Sequence, residues 1–199
     1  MTILRRPPDE AGKKLPRGSG SEPHKIRGRR KGKPLTAKKR DALQKGLAGF
    51  AISDADDLKN PKALFDHKPL EVWLEIGFGA GEHLIHQAKS HPKIGFIGCE
   101  VFENGLAAAC DSLLTENLQN VRLYTKAAQD LLADLPDASL KRLYVLFPDP
   151  WPKTRHHKRR LIQTDVLGQM ARALAPGGEL RFASDHMDYV HWTLEKLLD

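Results

Sequence analysis

The chain carries only two cysteines, Cys99 and Cys110, in 199 residues. Two thiols cannot build the disulfide framework of a small secreted domain. Both sit in apolar surroundings, so buried free thiols in a reducing compartment are expected. No apolar run approaches the length that crosses a bilayer, and the N-terminus has no apolar core of the signal-peptide type. That terminus is rich in Arg and Lys, as an organellar transit peptide is, but Asp9, Glu10 and many Gly and Pro residues oppose that reading. The cytosol is the expected compartment, with no membrane partner. Histidine and cysteine do not cluster at metal-ligand spacing. His156 and His157 are adjacent, and His83, His86 and His91 read as surface or helix-face residues, so no metal is expected. A Walker A loop and the G-x-G-x-x-G of a nicotinamide dinucleotide fold are both missing.

Positive charge is present and unevenly spread. Residues 1–45 hold 15 Lys/Arg against 4 Asp/Glu, whereas residues 46–199 hold 17 against 21. The formal charge of +7 therefore belongs to the N-terminal arm and not to the body. Such an arm attracts phosphate backbones. It has no amphipathic pattern that would favour a membrane, so nucleic acid is the leading partner and a merely solubilising tail the alternative.

The pattern along the chain divides it into three parts. Residues 1–34 are rich in Pro, Gly, Arg and Lys and are expected to be disordered, or ordered only on a partner. Residues 35–69 read as a helical extension and linker. Thr36 to Gly49 forms a basic helix capped by Thr36, with Leu43 and Leu47 on one face. One helical turn is expected near Pro61 to Phe65. From residue 70 to 199 strands alternate with helices: strands at 72–76, 94–99, 121–124, 140–147 and 179–183, and helices at 82–89, 104–116, 127–135, 160–175 and 187–198. Such alternation implies right-handed crossovers and a mostly parallel sheet covered on both faces, an α/β fold.

Two loops of this unit carry chemistry. Glu75-Ile76-Gly77-Phe78-Gly79-Ala80-Gly81 joins the first predicted strand to a helix. Glycines there allow a tight turn and close approach of backbone to a ligand. Glu100 ends the second strand, 19 residues after Gly81, where an acid can accept from a ribose diol. Glu75 can accept from a ligand ammonium. Two carboxylates without a phosphate-binding lysine favour a positively charged nucleoside over ATP. Ordinary strand-end acids and a plain tight turn are the alternatives. The second loop is Phe147-Pro148-Asp149-Pro150-Trp151-Pro152-Lys153, followed by Arg155, His156, His157, Lys158, Arg159 and Arg160. Three prolines in five positions end the strand and stiffen the loop. It presents a carboxylate, an indole and cations together, a set suited to a flat polar ligand on a polyanion. Trp151 either stacks on that ligand or anchors the loop by packing.

These motifs resemble the bacterial tRNA (guanine-N7)-methyltransferase family. Its L-E-I-G-F-G-x-G is matched by Leu74 to Gly81, its G-x-E by Gly98 to Glu100, and its A-x-D by Ala183 to Asp185. Its most specific signature, F-P-D-P-W-x-K-x-R-H-x-K-R-R, runs unbroken from Phe147 to Arg160, and Arg27 to Thr36 is similar to the basic segment before the domain. The resemblance covers residues 27–199. It implies a Rossmann-like class I fold, S-adenosylmethionine as methyl donor, and methylation of guanine 46 in the variable loop of tRNA. DNA is not an implied partner, and a monomer or homodimer is expected. Glu75, Gly77, Gly79, Glu100 and Ala127 are the implied cofactor-binding residues. Asp149 is the implied catalytic residue, with Lys153, Arg155, Arg159 and Asp185 on the substrate side.

The chain departs from that family at three places. Where many members have Asp or Asn facing adenine, it has Ala127, with Lys126, Gln129 and Asp130 nearby. Members continue with two more strands and a T-x-x-E segment that the given chain does not reach, so the expected sheet lacks its last strands. The arm reads Lys25-Ile26-Arg27-Gly28-Arg29-Arg30 in place of R-S-F-x-R-R. Two other readings remain at this level: a non-catalytic RNA-binding protein on the same fold, and a methyltransferase for a different substrate. Steep salt dependence of RNA binding separates an RNA substrate from a small one.

Overall fold

A computed structural model describes residues 2–6, 24, 28, 30–53 and 55–198. Each apolar run between turns becomes a strand. Six strands form one sheet: β1 (Thr2–Arg5), β2 (Glu71–Ile76), β3 (Ile94–Cys99), β4 (Val121–Tyr124), β5 (Leu140–Leu146) and β6 (Leu174–Ala183). Their order is β1-β6-β5-β2-β3-β4, and every pair is parallel except β1 with β6. The helices are α1 (Ala37–Phe50), α2 (Glu82–Ser90), α3 (Glu103–Thr115), α4 (Ala128–Asp134), α5 (Thr164–Ala173) and α6 (Met187–Leu198).

Alternation along the strands splits the core into two layers, as expected of a sheet buried on both faces. Val72, Leu74 and Ile76 of β2 join Leu131 and Leu132 of α4, Val166 and Met170 of α5, and Tyr189 of α6. Trp73, between them in sequence, faces the other way, to Leu84 of α2, Leu106 and Leu113 of α3, and Phe50 of α1. Leu74, Ile97 and Leu143 are fully buried, so truncating any of them to Ala costs about 2–5 kcal/mol.

Helix α1 is capped as its sequence suggests: the Lys39 amide donates to Thr36 Oγ1 at 3.3 Å. Its Gly46 lies so close to α3 that a Cβ would stand 2.4 Å from Cys110 Cβ. The chain then bridges to the sheet, where the Ile52 amide donates to the Leu123 carbonyl at 2.8 Å. Leu58 and Phe65 of the linker are buried in the core. Cys99 and Cys110 are buried and free, and burial pushes both thiols up, Cys110 to about 11.

Three expectations are corrected. Residues 2–5 are not irregular: they pair antiparallel with β6, Leu4 opposite Leu180, and make a sixth strand where five were expected. The other residues of the expected disordered arm, except 6, 24, 28 and 30–34, lie outside the described residues. The helix expected from Arg160 starts at Thr164, because residues 154–159 form a 3-10 turn and the Ile162 amide is drawn to the Tyr189 hydroxyl at 3.1 Å. Strand β6 starts at Leu174, five residues early, and absorbs Pro176-Gly177-Gly178 as an irregularity in register, with Gly177 at φ 68°.

Candidate active site

The sheet order reverses direction between β2 and β5, and the crevice beyond the carboxyl ends of such strands is where ligands bind in open α/β sheets. A cavity of about 400 Å³ opens there. Its walls come from the ends of four strands: Ile76 and Gly77 after β2, Cys99 to Phe102 after β3, Lys126 to Gln129 after β4, and Phe147, Pro148, Asp149 and Trp151 after β5, with Gly28, Arg159 and Leu161.

The glycine loop requires its glycines for two separate reasons. Gly77, Gly79 and Gly81 have φ of 76°, 59° and 91°, a region in which side chains are strained. A Cβ at Gly77 or Gly79 would meet nothing within 4 Å; of the two, Gly77 lines the cavity. Gly105 on α3 supports the loop from behind. A Cβ there would stand 2.3 Å from the Gly79 carbonyl oxygen.

Glu100 locks this corner. Its Oε2 accepts from the Gly79 amide at 2.9 Å, and its Oε1 accepts from the amides of Val101 and Phe102 at 2.7 and 2.9 Å. About four acceptor positions exist on a carboxylate, so one is left, on Oε2. The acceptor capacity expected for a ribose diol therefore narrows to a single position. Glu75 does not line the cavity. It is buried behind the glycine loop, where His83 Nδ1 donates to its Oε2 at 2.7 Å. His83 is thus the partner of a buried acid, not a plain helix-face residue. Ala127 lines the cavity beside Gln129, whereas Asp130 is engaged by the His24 amide and imidazole at 3.1 and 2.6 Å.

The proline loop after β5 faces the glycine loop across the cavity. Phe147 and Trp151 have φ of 50° and 44°, sparsely populated for aromatic residues. Strain of this kind persists where the surroundings over-determine it. The Phe147 amide donates to the Ala183 carbonyl at 2.8 Å, which ties the loop to the end of β6. Asp149 is exposed and lines the cavity. Arg159 lies 5.0 Å from the Trp151 ring centroid, a cation–π contact. Lys153, Arg155 and Asp185 are exposed but do not line the cavity. The ordinary pKa of His156 is lowered, first by desolvation and then by Arg159, Arg155, Lys153 and Lys158.

Described parts of the arm reach this site, which their composition does not announce. A Cβ at Gly28 would stand 3.3 Å from Asp149 Oδ2. Asn104 clamps the backbone at Gly32 and Lys33: its Oδ1 accepts from the Gly32 amide at 2.7 Å, and its Nδ2 donates to the Lys33 carbonyl at 2.8 Å. His83, Asn104, Gly105 and Arg160 are the structurally consequential residues that sequence patterning did not single out in these roles. Their partners lie from 8 to 72 residues away in the chain, beyond one helical turn, and only the early position of Gly105 in a helix, where glycine is unfavourable, was a local signal.

A glycine loop, an acid after the next strand and a ligand crevice at the switch point define a Rossmann-like nucleotide-binding fold. The fold agrees with two solved structures. One is described as an antibiotic-related methyltransferase (TM-score 0.54, 18% identity, 74% of each chain). The other is precorrin-6y C5,15-methyltransferase from Geobacter metallireducens (TM-score 0.54, 19% identity, 85% of this chain and 75% of that one). A family profile described as "Putative methyltransferase" matches residues 70–199. The tRNA (guanine-N(7)-)-methyltransferase of Rhodospirillum rubrum is 48% identical over 181 residues, 87% of this chain and 70% of its own length. That of Nitrobacter hamburgensis is 42% identical over 190 residues, 95% of this chain and 73% of its own. The chain belongs to the tRNA (guanine-N7)-methyltransferase family.

Proposed function

We propose that the chain transfers a methyl group from S-adenosylmethionine to N7 of guanine 46 in the variable loop of tRNA. The observation that carries this reading is one cavity with the glycine loop and Glu100 on one wall and the Asp149 loop on the other. The names of the relatives support guanine N7 of tRNA, and the unbroken Phe147–Arg160 signature supports position 46.

The residues present fit the donor. The cavity lies within the roughly 300–1,000 Å³ of small-ligand sites. The open side of Gly77 admits a ligand close to backbone. Glu100 Oε2 keeps an acceptor for a ribose hydroxyl, Ala127 and Gln129 border the base, and the buried Glu75 carboxylate behind the loop favours a cationic ligand. When bound, the sulfonium supplies an electrophilic methyl group.

Guanine N7 has an in-plane lone pair, so no general base is required and alignment matters most. Asp149 orients the base. Its carboxylate accepts from guanine N1–H and the exocyclic amine, raises electron density in the ring, and counters the positive charge that grows as N7 is methylated. Trp151 and Arg159 wall the base side of the cavity. Lys153 and Arg155, exposed outside the cavity, hold phosphates, and Asp185 meets the substrate from the end of β6. The domain is proposed to span 70–199 with β1 added at the edge of its sheet, 35–69 packed on it as an extension, and the rest of 1–34 as the RNA-seeking arm.

The test is methyl incorporation into unmodified tRNA by the wild type and by Asp149→Ala, with calorimetric binding of S-adenosylmethionine. The expected result is at least about a hundredfold loss of kcat with cofactor affinity retained. Unchanged turnover in Asp149→Ala would remove Asp149 from this role, and methyl transfer absent in the wild type would remove the reaction.

A further inference from the structure

Arg160 ends the basic run and reads in sequence as one more cation for phosphates. Its side chain is instead fully buried, the largest such side chain among the described residues. Its Nε donates to the Pro150 carbonyl at 2.8 Å, and its Nη2 donates to the Asp188 carboxylate of α6. The rings of Tyr189 and Trp192 lie 4.9 and 5.3 Å from the guanidinium carbon. Those rings are themselves tied to the segment after Arg160. The Tyr189 hydroxyl accepts from the Ile162 amide at 3.1 Å, and Trp192 Nε1 donates to the Ile162 carbonyl at 2.7 Å. A guanidinium so enclosed cannot reach a phosphate. Burying it is unfavourable unless it is paired and hydrogen-bonded, and here its partners are a loop carbonyl and a helix carboxylate.

We infer that Arg160 is a positioning residue for methyl transfer: it fixes the Pro150 carbonyl, and with it the adjoining Asp149 carboxylate, against helix α6. This rests on the role proposed above for Asp149. The loop holds two aromatic residues at positive φ, Phe147 and Trp151, and Asp149 and Pro150 lie between them. It is fastened at one end by the Phe147 amide on Ala183 and towards the other by Arg160 on Pro150. Without the second fastening, the segment relaxes towards commoner dihedrals and carries Asp149 with it. Arginine is required because one planar fork serves two acceptors while its face stacks on rings, which an ammonium cannot reproduce.

The experiment compares the full chain with Arg160→Lys, Asp188→Asn and Asp149→Ala. It measures S-adenosylmethionine affinity, kcat and KM for tRNA, and the salt dependence of RNA binding, at a temperature where each variant is folded by circular dichroism. Arg160→Lys is expected to lower kcat by about a hundredfold, the scale of a misplacement near 1 Å, while cofactor affinity, KM and the salt slope stay within about threefold. Asp188→Asn, which keeps the shape but removes the charge, is expected to lower kcat by about three- to tenfold. A folded Arg160→Lys with wild-type kcat overturns the inference. So does a reduced salt slope with kcat unchanged, which would make Arg160 a phosphate contact. If Arg160→Lys does not fold, wild-type kcat in Asp188→Asn overturns it. Asp149→Ala separates the two levels. If it is inactive while Arg160→Lys is fully active, only the present inference fails; if it is fully active, the reading of Asp149 itself fails.

Discussion

Gly105 makes the closest approach in the site, and it touches backbone, which cannot swing aside as a side chain can. A methyl group there would stand 2.3 Å from the Gly79 carbonyl oxygen, so Gly105→Ala must displace the glycine loop or the start of α3. The expected outcome is a stability loss of about 1–3 kcal/mol in urea unfolding. Cofactor affinity should fall about tenfold in calorimetry, because the Gly79 amide that Glu100 holds would move with the loop. Glu100 illustrates the same dependence at atomic scale. Its place after β3 made it a ribose ligand in the sequence, but three backbone amides already occupy most of its acceptor capacity. Its first task is to hold the loop together, and any ligand contact is made by what remains.

Short helices around the site depend on side chains from elsewhere to finish them. Helix α4 has seven residues and no side-chain cap at its N-terminus. Its far end is satisfied by Arg172 of α5, which is buried and donates to the Leu132 carbonyl at 2.5 Å, the Leu135 carbonyl at 2.7 Å and Asp137 Oδ1 at 2.7 Å. Arg172→Met keeps apolar volume but leaves those carbonyls unpaired. It is expected to cost about 1–3 kcal/mol in urea unfolding, because each buried acceptor keeps its desolvation penalty. Since Lys126 to Gln129 at the start of α4 line the cavity, the same variant should also weaken cofactor binding, which calorimetry would register.

Across the whole molecule, two carboxylates join the sheet edge and α6 to arginines. Glu179 of β6 lies 3.2 Å from Arg5, 3.2 Å from Arg142 and 2.8 Å from Arg181. Its carboxyl is held below the ordinary glutamate value, first by the Arg181 hydrogen bond. The Asp188 carboxyl is lowered in the same way, first by the hydrogen bond from Arg160. A carboxyl whose folded pKa is depressed adds stability that is fully present above its unfolded value and is lost as pH falls through the folded one. Tm is therefore expected to hold from neutral pH down to about pH 5 and to decline below that. Glu179→Gln should give a lower plateau and a shallower decline, measured by thermal unfolding across pH. An unaltered acid limb in that variant would show that the edge cluster contributes nothing to it.

Much of this organisation is local and was legible in the residues. Thr36 caps α1 because a hydroxyl beside a first turn satisfies a free amide wherever the rest of the chain goes. Gly77 and Gly79 stand at positive φ because the turn requires it, and the prolines around Asp149 end β5 by their own covalent geometry. Strand–helix alternation then implies a mostly parallel sheet, whereas the strand order, and with it the switch point between β2 and β5, came from the tertiary structure. What only the tertiary structure decided are pairings between distant residues: Thr2–Arg5 on the edge of β6, His83 on Glu75, Asn104 on the arm, and Arg160 withdrawn from the basic run to brace the loop. A charge or an amide in sequence carries no sign of whether water or a carbonyl 10 or 100 residues away will satisfy it. In this protein the sequence determined the two loops that border the crevice, and packing decided which groups stand there and remain free to meet a ligand.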